Sequence, residues 1–137
     1  MRFFFLLFAW AAVASTAGAD LSKYNRALLA SHTKAAFARV GIQKPWPRVR
    51  VISDSNKTIR GLAASAEDES GNEFIYIREG QIRKGRGLLE TLVHEVSHIQ
   101  ARREFGPDIV EHGSEFKLVC RRAKMPKACT AVEGSIL

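Results

Sequence analysis

A chain of 137 residues, 46% hydrophobic and 26% charged, is sized for one folded domain. That balance, with no internal repeat and no low-complexity tract, excludes a disordered, collagen-like or repeat protein. The formal net charge of +7 favours anionic partners without identifying one, and two cysteines are too few for a four-cysteine zinc ribbon.

In chain order, Phe3 to Ala14 is nearly all apolar, follows the single positive charge of Arg2 and runs into the small residues Ala14 to Ala19. This is the layout of a secretory signal peptide over residues 1–19, with Ala17-Gly18-Ala19 as cleavage site and Asp20 as the mature N-terminus. An uncleaved anchor is the alternative, but a bilayer span needs about 20 apolar residues and this run decays after roughly a dozen. The sequence therefore predicts a periplasmic or secreted product over residues 20–137, with no stable membrane span after cleavage. Losing Arg2 would lower the net charge from +7 to +6.

From Leu21 to Val40 the residues Tyr24, Leu28, Phe37 and Val40 recur at helical spacing, and Gly41 stands where the helix would end. Pro45-Trp46-Pro47 punctuates the chain. Val49 and Val51 then alternate with Arg48 and Arg50 as in a strand, Thr58 to Ala66 reads as a second, and Phe74 to Ile77 as a third. Ser70-Gly71-Asn72 has the composition of the turn joining the last two. The longest periodic segment is Leu88 to Phe105, and a final helix is expected over Ser114 to Lys124. Export would let Cys120 and Cys129 pair, folding the tail back onto that last helix across Pro126 and adding ~2–3 kcal/mol; two free thiols are the other reading. The basic residues Arg83, Lys84, Arg86, Arg102, Arg103, Lys117, Arg121, Arg122, Lys124 and Lys127 read mainly as solvated faces, since no aromatic residues interleave with them.

The chemistry concentrates at His94-Glu95-Val96-Ser97-His98, an H-E-x-x-H pattern. At ~100° per residue, positions four apart lie one turn apart on one face, so both imidazoles can reach one tetrahedral ion. On that wheel Leu88, Leu89, Leu92, Val93, Val96 and Ile99 form an apolar arc, with His94 and His98 turned away from it and Glu95 between, within reach of a water on the metal. Two surface histidines on an amphipathic helix are the plain alternative. A catalytic zinc wants three protein ligands and an open position, and His112 is the natural third: it follows the Gly106-Pro107 break and precedes the last helix, whose positive end would keep its imidazole neutral. His32, on the first helix, reads as an ordinary surface or partly buried residue, and Phe116 as a core anchor. Glu104, Asp108 and Glu111 read as solvated loop acids, with a hydrogen bond to a ligand histidine as the alternative.

Leu89 to His98, followed by His112-Gly113-Ser114-Glu115-Phe116, resembles the SprT-like (Spartan-type) metallopeptidase domain, with Gly61 in Ile59-Arg60-Gly61-Leu62 fitting more weakly. The resemblance implies an α+β, zincin-like minimal domain built from an N-terminal helix, a small three-stranded antiparallel sheet, the H-E-x-x-H helix and a C-terminal helix. It also implies a Zn2+ cofactor held by His94, His98 and His112, Glu95 as catalytic acid–base, and a protein or peptide substrate extended along the sheet edge. Members of this family are best known for cleaving proteins crosslinked to DNA. The export signal and the missing zinc ribbon argue against that role here, and no chromosomal DNA partner is expected. Two other functions fit the same residues: a zinc hydrolase of cell-wall amides, and a non-catalytic module in which zinc serves folding while the basic surface binds an anionic partner.

Overall fold

The computed structural model describes residues 21–59 and 61–130; the leader read at residues 1–19 lies outside them. In chain order the elements are α1 (Lys23–Val40), β1 (Arg48–Ile52), β2 (Ala63–Glu67), β3 (Glu73–Arg78), α2 (Glu79–Lys84), α3 (Leu88–Phe105), α4 (Ser114–Arg122) and α5 (Pro126–Thr130). The architecture is α+β, as the sequence predicts. No helix among the described residues is long and apolar enough to cross a membrane.

Both ends of α1 follow from local chemistry. Ser22 caps the N-terminus, its hydroxyl accepting from the Asn25 N–H at 3.1 Å, and Gly41 closes the C-terminus at φ +76°, where a side chain would be strained. Ala36, Phe37 and Val40 turn inward, whereas Tyr24 is exposed at 74% of its surface and does not belong to the core. His32 is partly buried, its Nδ1–H donating to the Leu28 carbonyl at 2.9 Å.

The sheet corrects the antiparallel expectation. Its order is β1-β3-β2, with β2 antiparallel to β3 and β1 parallel to it. The β2–β3 hairpin forms as read, closed at Asp68–Asn72, where Gly71 sits at φ +81°. The second strand, however, starts at Ala63 and not near Thr58. Between Ile52 on one edge and Ala63 on the other the chain must pass over the C-terminal end of β3. Arg78 secures that crossing: its guanidinium donates to the carbonyls of Ser53 (3.1 Å), Asp54 (3.1 Å), Asn56 (2.8 Å), Ile59 (2.9 Å) and Gly61 (2.7 Å). Carbonyls that converge on one guanidinium do not alternate from side to side as those of a strand do.

α3 is the centre of the molecule, packed against α1, α2, α4, α5, β2 and β3. Ile75 and Ile77 of the central strand point into the core, which also takes Leu88, Leu92, Val93, Val96 and Ile99 from α3 and Phe116, Val119 and Cys120 from α4. Every residue from Leu92 to Ile99 is buried, so α3 is not the one-sided amphipathic helix of the wheel. Its histidine face is covered as well, by α4 and α5. Arg103 ties its C-terminal turn down, paired with Glu73 of β3 and donating to the Gln43 carbonyl at 2.8 Å.

Two short helices were not legible in the sequence. α2 is held by Asp54, which accepts from the Gly80 N–H at 2.9 Å and pairs with Arg83 at 3.1 Å. α5 begins at Pro126, a residue suited to a first helical turn, and is bridged to α4 by the Cys120–Cys129 disulfide, with Cα atoms 5.7 Å apart. The two cysteines do pair.

Candidate metal centre

His94 and His98 project from the middle of α3, and the 106–113 loop brings His112 to them. Gly106 lets the chain reverse: at φ +93°, ψ 173° it occupies backbone space that essentially only glycine reaches. Gly113 is demanded by close approach, since a Cβ there would lie 2.9 Å from Val110 Cβ and 3.2 Å from the Val110 carbonyl. The result is a set of three imidazoles with ligand atoms within 4.8 Å of one another, close enough to bind one metal ion. His98 Nε2 stands 3.1 Å from His94 Nε2 and 3.0 Å from His112 Nε2.

Those distances suit a shared cation. For metal–nitrogen bonds of ~2.0–2.1 Å, the nitrogens of a tetrahedral site are about 3.3 Å apart. The tautomer of His94 agrees. Its Nδ1 lies 2.8 Å from the Ala128 carbonyl, which can only accept, so Nδ1 carries the proton and Nε2 offers a lone pair. Two lone pairs facing at this range repel unless a proton or a cation lies between them.

Burial keeps the imidazoles of His94 and His98 neutral, the form able to bind a metal. Desolvation lowers the His94 pKa, assisted by His112 and opposed by the Ala128 carbonyl and the Glu111 charge. At His98 burial acts more strongly, and with the positive tendencies of His94, His112 and Arg102 it pushes the pKa down to about 2. Phe116 forms the floor: it is fully buried, stacks on His98 at 4.3 Å between ring centroids, and lies 5.0 Å from His94 and 5.3 Å from His112. It is the core anchor the sequence suggested, placed beneath the three histidines.

Glu95 is buried on α3 beside Ser65 of β2. Burial pushes its carboxyl up to about 7; the Arg102 charge and the Ser65 hydroxyl and N–H act the other way, and the Glu111 charge adds to the rise. Arg102 reaches the same strand, donating to Ser65 Oγ at 3.3 Å. A carboxyl poised near neutrality exchanges a proton readily with a group of similar affinity.

The loop acids do not hydrogen-bond the ligand histidines. Glu104 instead pairs with Arg122 and accepts from Gln100 at 2.7 Å, while Asp108 and Glu111 are exposed, Glu111 acting on the site through its charge alone. The carbonyl that orients His94 comes from Ala128 of α5, which no local pattern marks; the cysteine pair was the only hint that the tail returns. Among the basic residues, Arg83, Arg102, Arg103 and Arg122 are engaged with partners, whereas Lys117, Arg121, Lys124 and Lys127 lie exposed on α4, α5 and the turn between them.

No protein-family model, curated protein or solved structure matches the chain.

Proposed function

We propose that this chain is an exported zinc endopeptidase of SprT-like type, a zincin-like domain that hydrolyses peptide bonds with Glu95 as general base. The observation that carries the reading is the convergence of His94, His98 and His112 beside a buried carboxyl whose pKa is raised to about 7. Three imidazoles, two of them at H-E-x-x-H spacing, favour zinc over the harder cations, which prefer oxygen ligands. Zinc bound there would act as a Lewis acid, polarising a peptide carbonyl and acidifying water at its open position.

The chain's own residues supply the remaining steps. Glu95 takes a proton from the attacking water as the water oxygen bonds to the carbonyl carbon; the C–N bond then breaks, and Glu95 returns the proton to the leaving amine. Strand β2 is an edge of the sheet, packs against α3 and carries Ser65 beside Glu95. An extended peptide adding to that edge would be held by its backbone and present a carbonyl to the site, with little demand on its sequence. The disulfide and the leader pattern at residues 1–19 support action in an oxidising compartment, periplasmic or extracellular.

Replacing Glu95 with Gln tests the reading. Zinc-loaded wild type is expected to degrade an unfolded protein such as a reduced, alkylated casein, and E95Q is expected to bind zinc equally and cut nothing. If wild type binds zinc and leaves unfolded proteins intact, the endopeptidase assignment fails; if it binds no metal, the site assignment fails with it.

A further inference from the structure

Three observations meet at α5. Its five residues carry the Ala128 carbonyl that fixes the His94 tautomer at 2.8 Å. Cys129, the next residue, is bonded to Cys120 on α4. Apart from that bond α5 is short, with Ala128 as its one fully buried residue, and an isolated helix of this length has no stability of its own. The carbonyl is thus presented to the metal ligand by a segment whose covalent attachment is one residue away.

We propose that the Cys120–Cys129 disulfide is a clamp on the metal site: by holding α5 against α3 it keeps Ala128 on His94 and makes metal affinity depend on the redox state of the chain. This rests on the reading of the histidine triad as a metal site. With the clamp closed, the Ala128 carbonyl stabilises the tautomer that turns the His94 Nε2 lone pair toward the ion and fixes the ring's orientation. With it open, α5 departs more readily, the His94 ring gains rotational freedom, and both tautomers become accessible. The opening reaction is ordinary exchange with a dithiol: the S–S bond gains two electrons and two protons, giving two cysteine thiols, and the reductant closes to its own disulfide. Cys120 is fully buried and Cys129 partly so, which makes Cys129 the sulfur open to attack. Metal retention is then strongest in the oxidising compartment where the proposed enzyme acts, and weakest before oxidation.

The test compares zinc affinity, by competition with a chromophoric chelator, in the full chain and in the double variant Cys120→Ala/Cys129→Ala. Alanines are used so that no free thiolate competes for the ion. The variant is expected to bind zinc about 10- to 100-fold more weakly, the usual cost of losing a partner that orients a ligand. Leu29→Ala, in α1 and remote from the site, serves as a control of general destabilisation and is expected to leave zinc affinity unchanged. Nitrogen NMR of wild type is expected to show His94 protonated at Nδ1 and coupled through the hydrogen bond to the Ala128 carbonyl. A folded double variant with wild-type affinity overturns the clamp, as does a wild-type spectrum with His94 protonated at Nε2, which decides the matter even if the double variant does not fold. Absence of zinc binding in wild type overturns the metal reading itself, a result distinct from either.

Discussion

The three histidines are not equivalent, because they are held in different ways. His94 and His98 are fixed by the buried centre of α3, whereas His112 sits partly exposed on a loop. His112→Ala is therefore expected to abolish tight zinc binding, measured by metal content after dialysis, while leaving the melting temperature of the metal-free protein nearly unchanged. His98→Ala is expected to lose the metal as well, with a shift in that temperature, since it empties a buried position against Phe116. Glu95 offers a prediction with a sign. It must be ionised to accept a proton, so activity is expected to fall as pH drops through its pKa. Ser65 presents its hydroxyl to the carboxylate and thereby lowers that pKa, so Ser65→Ala should move the acid limb of kcat/KM to higher pH. A bound cation lowers the pKa in both proteins and leaves the direction of their difference intact. A limb that stays in place would show that Ser65 does not act on Glu95.

At the scale of elements, two devices place the site: the crossing loop that delivers β2 and the loop that delivers His112. Arg78→Ala strands five carbonyls of residues 53–61, and the expected loss is ~2–3 kcal/mol in denaturant unfolding, with Arg78→Lys recovering only part because an ammonium cannot fan out to five acceptors. Since β2 lies against α3 beside Glu95, the same change should lower activity by more than it lowers zinc affinity. Gly113→Ala works in the opposite sense. The added methyl meets Val110 at 2.9 Å and displaces the loop that carries His112, so zinc affinity is expected to fall before global stability does. Chelator competition and thermal melting on the same sample separate the two effects.

For the molecule as a whole, burying histidines makes stability depend on pH in the absence of metal. The folded pKa values of His94 and His98 lie below the ordinary value of 6.5, so in acid the unfolded chain takes up protons that the folded one refuses. Stability contributed by these groups is present above pH 6.5 and is lost as pH falls, by ~1.4 kcal/mol per pH unit for each fully engaged group. Glu95 runs the other way, its contribution present below 4.5 and lost as pH rises through about 7. Between pH 4.5 and 6.5 His98, with its folded pKa near 2, offsets Glu95 and His94 adds to the fall, and below 4.5 the lowered carboxyls of Asp68 and Glu104 act in the same direction. Metal-free protein is thus expected to melt at progressively lower temperature from pH 6.5 downward. Zinc at 100 times its Kd should add about 2.7 kcal/mol near neutrality, an increment that disappears in acid as protons compete for the imidazoles.

Several parts of this protein were written locally and could be read without its structure. The i, i+4 histidines on a helix, the Gly106-Pro107 break before His112, the Gly41 end of α1 and the hairpin turn at Gly71 depend on spacing or on one residue's backbone freedom, which the chain carries with it wherever it folds. The parallel placing of β1, the burial of α3 on every side, the proximity of Ser65 to Glu95 and the arrival of the Ala128 carbonyl on His94 depend on segments tens of residues apart. Arg78 at the end of one strand and Cys129 near the end of the described chain create them only once the core has closed. Sequence spacing brings two imidazoles onto one helix; burial then keeps them neutral, and a carbonyl from α5 decides which nitrogen of His94 faces the other two histidines.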